Sequence, residues 1–196
     1  MILRANQHKK MIWKNGGGIT YQIDRQPNDD QDDFDWRLSM AQIKSPGGPF
    51  SLFPNIDRTL SIIDGNSLTL LIKNNNQSIQ LDQNSQPFSF PGEFSINSQI
   101  NEETLTDFNV MTKRNQFKHT VQRCILNKDQ NSMNISNNNE DILFILVSQG
   151  ILKINQFILE KNDIFKCINN ENSIIISSLN GNTIFYLVHI IKIKFN

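Results

Sequence analysis

Two acidic or amide side chains stand at strand-like spacing in the stretch TDFNVMTKR (106–114). Alternate residues of a strand point to the same side, so Asp107 and Asn109 share one face if this stretch is extended. Both residue types are disfavoured in strands, and their presence here favours a pocket that they line. A carboxylate and an amide at this spacing could orient an amide or amine group of a small ligand.

Further polar residues with the same alternation occur in DWRLSMAQI (35–43), where Arg37 and Ser39 lie on the face opposite Trp36. This pattern predicts a strand with one packed and one polar face. Asp57 and Arg58 form an adjacent charge pair at the start of another strand pattern. That pair is open to a plain interpretation as a surface salt bridge, worth less than about 1 kcal/mol.

The glycine-rich stretch WKNGGGIT (13–20) can be tested against known phosphate-binding motifs. A P-loop needs a lysine directly after its last glycine, but Lys14 precedes the glycines, and the dinucleotide fingerprint lacks its third glycine. The strand pattern ITYQI follows, where both motifs need a helix. Asn15 and Gly16 favour a tight hairpin turn instead, because both readily adopt positive φ.

Composition excludes several classes of protein. Nineteen Lys and Arg residues balance 19 Asp and Glu residues, so no excess of positive charge indicates a direct nucleic-acid partner. No apolar run has the length of a signal peptide core or a membrane span, and we expect a cytoplasmic protein without a membrane partner. The two cysteines, Cys124 and Cys167, are far apart and predict neither a disulfide framework nor a zinc site.

Short β-branched and aromatic segments bounded by Gly, Pro, Asn or Asp predict an all-β fold. The stretches 59–99 and 143–178 share one order of strand, glycine turn, strand, short strand, Phe-containing strand and final strand. Such a repeat predicts two tandem jelly-roll units in one chain. We place the first unit at 1–126 and a second, degenerate unit at 127–196.

Five blocks together carry a family resemblance: WKNGGGIT, DWRLSMAQI, GPFSLFPNIDRTLSIIDG, PFSFPGE and DFNVMTKR. In this order and spacing, over roughly residues 11–114, they resemble the HutD/Ves family of bacterial proteins. The resemblance implies two tandem cupin units of the RmlC-like jelly-roll type. It also implies an association with histidine-utilisation genes, and a regulatory or sensing role through a small metabolite such as urocanate or formylglutamate.

Metal-binding cupins carry a glutamate seven positions before the turn glycine, with histidines nearby. Here that position before Gly65 is Arg58, and the three histidines of the chain are scattered. We therefore expect no metal and no cofactor. An arginine at this place suits a carboxylate ligand instead, because a guanidinium can pair with both of its oxygens.

On a cupin strand, Arg58, Leu60 and Ile62 would face the barrel interior, where Phe88 and Phe90 could supply an apolar wall. The resulting candidate ligand site contains nine residues: Lys14, Asn15, Arg37, Ser39, Arg58, Phe88, Phe90, Asp107 and Asn109. The expected ligand is a small anionic metabolite. One structural alternative stays open, in which Arg58 and Asp107 form a buried ion pair that only supports the barrel.

Two other functions are left open by the sequence. A metal-independent isomerase or epimerase would need Lys14 or Asp107 as its base, since residues 35–114 contain no histidine or tyrosine. A structural or interaction module would use the same blocks only to fold. Of these possibilities, we favour a protein that is not an enzyme. The exposed edges of a jelly roll also leave a homodimer open.

Overall fold

The computed structural model describes residues 1–28, 33–135, 141–167 and 173–194 of the 196-residue chain. The described ranges contain nineteen strands and one short 3-10 segment, Ala5–Gln7, which confirms the predicted all-β fold. Within these ranges, no helix reaches the length and hydropathy that crossing a membrane requires.

In chain order the strands are β1 (Ile2–Leu3), β2 (Lys9–Ile12), β3 (Gly18–Gln26), β4 (Trp36–Lys44), β5 (Gly47–Pro49), β6 (Ile56–Asp64), β7 (Ser67–Ile72), β8 (Gln77–Asp82), β9 (Phe88–Pro91), β10 (Ile96–Ile100), β11 (Thr104–Lys113), β12 (Phe117–Leu126), β13 (Ser132–Ile135), β14 (Asp141–Gln149), β15 (Leu152–Ile154), β16 (Phe157–Leu159), β17 (Ile164–Cys167), β18 (Ile174–Ser178) and β19 (Thr183–Lys192).

The chain forms two compact units. The first unit is Lys9–Lys118, and the second unit combines Met1–His8 with His119–Asn196. The N-terminal residues belong to the second unit because β1 pairs with β17, with Ile2 opposite Phe165.

The first unit is a sandwich of two antiparallel sheets. Its six-stranded sheet has the order β2-β3-β4-β11-β6-β9, and its four-stranded sheet has the order β5-β10-β7-β8. Apolar residues from both sheets meet in one core, to which Leu60 and Ile62 of β6 contribute opposite Leu68 and Leu70 of β7. Alternate positions of each strand supply these residues, as the period of a half-buried strand requires.

The second unit repeats this plan. Its sheets have the orders β1-β17-β14-β19-β12 and β13-β18-β15-β16, so β14 to β19 correspond in sequence and neighbours to β6 to β11. The turn glycines also correspond, with φ of 93° at Gly65 and 85° at Gly150. In each unit a β-bulge lies two residues before that glycine, at Ile63 or Ser148. The predicted repeat of two jelly-roll units is therefore confirmed down to a shared backbone irregularity.

Candidate ligand-binding site

A cavity of about 490 Å³ lies in the first unit, on the inner face of the six-stranded sheet. This volume falls in the range that proteins use for small organic ligands, roughly 300–1,000 Å³. Its lining comprises side chains from five strands of that sheet, from β5, from the β2–β3 turn and from the segment between β5 and β6: Met11, Ile12, Trp13, Lys14, Asn15, Thr20, Arg37, Ser39, Ala41, Ile43, Pro49, Phe50, Ser51, Phe53, Arg58, Asp107, Asn109 and Met111.

The polar lining is arranged in rows across the sheet, because residues paired directly across neighbouring strands point to the same side. The first row holds arginines and a methionine, the second is neutral and polar, and the third ends at an acid. These rows are Arg58–Met111–Arg37–Arg25, then Asn109–Ser39–Gln22, then Asp107–Ala41–Thr20. Arg25 and Gln22 continue their rows outside the lining of this cavity. Register therefore brings together residues that lie up to 87 positions apart in the sequence, as Thr20 and Asp107 do.

Arg58 is buried at the end of the first row, with 5% of its surface exposed. Its guanidinium carbon lies 5.1 Å from the ring centres of Phe50 and Phe90 and 5.5 Å from that of Phe53. Electron-rich ring faces attract a desolvated cation, so these three rings hold the guanidinium in place. Burial nevertheless lowers the pKa of Arg58 to about 10, a shift that the charge of Asp107 opposes and that of Arg37 reinforces.

Asn109 connects Arg58 to Asp107. Arg58 Nη2 donates to Asn109 Oδ1 at 3.0 Å, and Asn109 Nδ2 donates to Asp107 Oδ1 at 2.6 Å. The alternative left open by the sequence pairs Arg58 directly with Asp107. In the structure the amide of Asn109 links the two groups instead. Burial raises the pKa of Asp107 from 3.8 to about 7, against the charge of Arg58 and hydrogen bonds to Asn109 and the Ala41 backbone. Near neutral pH this carboxyl consequently leaves part of the cavity's positive charge uncompensated.

Arg37 is the second cation in the lining. Its Nε is buried without a hydrogen-bond partner, and within the described ranges no carboxylate forms an ion pair with it. Burial lowers the pKa of Arg37, and the neighbouring Arg25 lowers it further. Two guanidiniums thus face one cavity and repel each other, an arrangement that an anion placed between them would relieve.

The glycine-rich turn forms one wall of the cavity. It joins β2 to β3 as the predicted hairpin, and Trp13 N–H donates to the Gly18 carbonyl at 3.0 Å. The Trp13 ring packs against Gly18, where a Cβ would lie 3.0 Å from the ring and 2.6 Å from the Gln42 carbonyl oxygen. Trp13 Nε1 donates to Thr20 Oγ1 at 2.8 Å, which fixes the indole, and Lys14 is exposed at the rim.

Seven of the nine candidate residues line this cavity: Lys14, Asn15, Arg37, Ser39, Arg58, Asp107 and Asn109. Phe88 and Phe90 are not among the lining residues. Phe90 is paired with Arg58 across β9 and β6, and its ring lies near the guanidinium. The Phe88 ring is stacked on the Phe90 ring, with the ring centres 5.8 Å apart. The wall residues that sequence reasoning missed are Phe50 and Phe53, which lie three apart in the irregular segment directly before Arg58. The sequence does carry a signal for them, namely two phenylalanines shortly before the candidate residue Arg58.

The second unit shows the same frame with an apolar filling. Register and the matching bulges place Leu143, Phe185 and Leu187 where the first unit has Arg58, Asp107 and Asn109. All three are buried in the hydrophobic core of the second unit. The side chains of the first unit, and not its strand arrangement, therefore produce the polar cavity, because the same arrangement encloses an apolar core in the second unit.

Metal-ligating side chains are not clustered in the described ranges, where no group of three His, Cys, Asp or Glu residues could hold an ion. The residue at the position of the usual metal-binding glutamate is the cation Arg58, which cannot ligate a metal. The donor set present at this cavity instead consists of guanidinium, amide, hydroxyl and carboxyl groups.

Fold and cavity together define a protein of two cupin units, of which the first is hollow and the second filled. Comparison with known proteins agrees with this class. The family model HutD matches residues 5–184, and the chain therefore belongs to the HutD family.

Curated relatives confirm the HutD/Ves resemblance. A Pseudomonas putida protein of 21.2 kDa from the hutC 3′ region is 32% identical over 62% of this chain. The protein Ves of Cronobacter sakazakii is 34% identical over 58% of this chain. The matched stretches span 62% of the length of each relative.

Solved structures show the fold. HutD from Pseudomonas fluorescens SBW25 superposes with a TM-score of 0.84 at 21% identity, covering 99% of both chains. The bacterial pirin YhhW of Escherichia coli, solved with nickel(II), superposes with a TM-score of 0.73 at 13% identity over 96% of this chain and 97% of that one. The cupin fold is shared with both.

Proposed function

We propose that the first unit binds a small anionic metabolite, with its carboxylate between Arg37 and Arg58, and does so without a metal. One observation carries this proposal: two guanidiniums, those of Arg37 and Arg58, face the cavity. The raised pKa of the neighbouring Asp107 supports it, because a partly protonated carboxyl compensates less of their charge. Desolvated arginines bind carboxylates strongly, because both partners are charged and two parallel hydrogen bonds can form.

The aromatic walls suit the remainder of such a ligand. Trp13, Phe50 and Phe53 line the cavity beside the polar rows. Flat apolar surfaces favour a ligand with a planar or short aliphatic body, which they would cover while the arginines hold its charge. Asn109 and Ser39 can exchange hydrogen bonds with an amide or amine of that body.

Within this class we propose urocanate and formylglutamate as first candidates, with a sensing or regulatory role in histidine utilisation. The proposal is supported by the HutD family match and by the location of the P. putida relative in the hutC 3′ region. A sensor binds its ligand and releases it unchanged. Recovery of the bound acid in unchanged form therefore distinguishes a sensor from an enzyme.

Titration calorimetry with urocanate, formylglutamate and acetate tests the binding. We expect saturable binding of at least one of the larger acids, weakened about tenfold or more in Arg37→Gln, the loss of one charge-assisted pair. Arg114→Gln is the matched control, since Arg114 lies outside the cavity and pairs with Asp57 and Glu93 at the surface. Absence of binding by the native protein, or equal loss in both variants, would refute the proposed site.

A second candidate function rests on Asp107. A carboxyl with a pKa of about 7 in the lining of a cavity has the properties of a general base or acid. Incubation of each bound acid in deuterated water, followed by NMR, distinguishes the two functions. Unchanged ligand indicates a binding protein, whereas deuterium at a ligand carbon that is lost in Asp107→Asn would indicate an isomerase-like enzyme.

A further inference from the structure

A second chamber of about 660 Å³ adjoins the candidate site within the first unit. Arg37, Phe53 and Met11 line both spaces, so the two are separated by shared side chains. We call this second space the outer chamber and the candidate site the inner cavity. Arg25 and Lys113 line the outer chamber only.

The first row of the sheet runs through both spaces. Arg58, Met111, Arg37 and Arg25 are paired in succession across β6, β11, β4 and β3. Neighbouring strands are about 4.8 Å apart, so the backbone of Arg37 is about 10 Å from that of Arg58 and about 5 Å from that of Arg25. The space between Arg58 and Arg37 therefore belongs to the inner cavity, and the space between Arg37 and Arg25 belongs to the outer chamber.

A β-bulge brings Arg25 into this row. The extra residue, Ile23, lies between the pairs Gln22–Ser39 and Asp24–Leu38, and it moves Arg25 opposite Arg37. A regular strand would place Asp24 on the cavity face and turn Arg25 away from it. The bulge thus exchanges an acid for a buried cation in the lining of the outer chamber.

Several cationic side chains line the outer chamber. Among the residues that the structure describes, its lining includes the cations Lys9, Arg25, Arg37 and Lys113 and the carboxylate of Asp33. Asp33 pairs with Lys113 at 2.9 Å, but the Asp33 side chain is 77% exposed, and such pairs contribute little in water. An incoming anion can replace this carboxylate as the partner of Lys113.

Apolar side chains lie between the two charged intervals. Met111 stands between Arg58 and Arg37 in the row, and Met11 and Phe53 border both chambers. These residues would cover a short aliphatic segment that crosses from one chamber to the other.

From this arrangement we infer that the site takes a ligand with two carboxylates, one held between Arg58 and Arg37 and the other between Arg37, Arg25 and Lys113. This inference rests on the proposed function and narrows its ligand class to short aliphatic diacids. Arg37 serves both carboxylates, whereas Lys113 serves only the outer one.

Paired diacids and monoacids test the inference by titration calorimetry. Succinate, glutarate and adipate are each compared with the monoacid of equal chain length: butyrate, pentanoate and hexanoate. We expect at least one diacid to bind about tenfold or more tightly than its monoacid, the gain from one additional charge-assisted contact. Lys113→Met should reduce that ratio at least threefold, while Lys118→Met, exposed and outside both chambers, should change neither the ratio nor the monoacid affinity.

The outcomes separate the two proposals. If monoacids bind but no diacid binds more tightly, the second subsite is refuted and the proposed function stands. If neither series binds, and urocanate and formylglutamate also fail, the proposed function itself is refuted. A diacid gain that persists in Lys113→Met would also overturn the assignment of the outer chamber.

Discussion

Replacement of Asp107 by asparagine should change how stability depends on pH. A carboxyl whose pKa is raised on folding binds its proton more tightly in the native state than in the unfolded state. Its contribution to stability is therefore complete below the unfolded pKa of 3.8 and is lost as the pH rises through the folded pKa of about 7. Asp107→Asn removes this dependence, because an amide is neutral throughout.

The magnitude follows from the two pKa values. A change from 3.8 to about 7 corresponds to about 4 kcal/mol between the protonation states. Between about pH 5 and pH 8 the native protein should lose about 3 kcal/mol relative to Asp107→Asn, since most of the interval lies below the folded pKa. The difference between the two proteins is the quantity to measure, because other titrating groups contribute equally to both.

Urea denaturation followed by tryptophan fluorescence gives this difference. The two tryptophans of the chain, Trp13 and Trp36, both lie in the first unit, so the signal reports on the unit that contains Asp107. We expect the midpoint of Asp107→Asn to rise above that of the native protein as the pH increases through 7. A difference that stays constant from about pH 5 to pH 8, or that changes in the opposite sense, would show that Asp107 is already ionised in the folded protein.

Three further predictions concern the same unit. Arg58→Met should leave the free energy of unfolding within about 1 kcal/mol of the native value while abolishing acid binding, since burial of the charge offsets its aromatic contacts; a loss above about 3 kcal/mol would show that the cation stabilises the fold. Gly18→Ala should cost about 1–3 kcal/mol, because its Cβ would contact the Gln42 carbonyl at 2.6 Å, whereas the control Gly17→Ala meets only the movable Asn15 side chain. Equal costs would contradict that reasoning. Addition of Ni²⁺ or Zn²⁺ should leave the melting temperature unchanged, and a saturable rise would reveal a metal site.

Much of the site could be predicted from the sequence because strand periodicity is local. Arg37 and Ser39 share a face, as do Asp107 and Asn109, and each alternation can be recognised within a few residues. The structure confirms these faces, since register places all four on the cavity side of one sheet. Arg58 followed from its position relative to Gly65, which the resemblance supplied.

The remaining features depend on information that no short stretch of sequence contains. Pairing between distant strands decides that Arg58, Arg37 and Arg25 form one row. The bulge at Ile23 reverses the parity of β3, so simple alternation assigns Arg25 to the wrong side. Phe50 lies in an irregular segment, where no period indicates its direction.

The matching bulges of the two units have a consequence for engineering. Since one chain carries both a hollow and a filled version of the same frame, the second version is a template for closing the first. Replacing Arg58, Asp107 and Asn109 by the leucine, phenylalanine and leucine of the second unit should fill the cavity of the first unit without altering a strand. The reverse replacement in the second unit would show whether these three side chains are enough to open a cavity there.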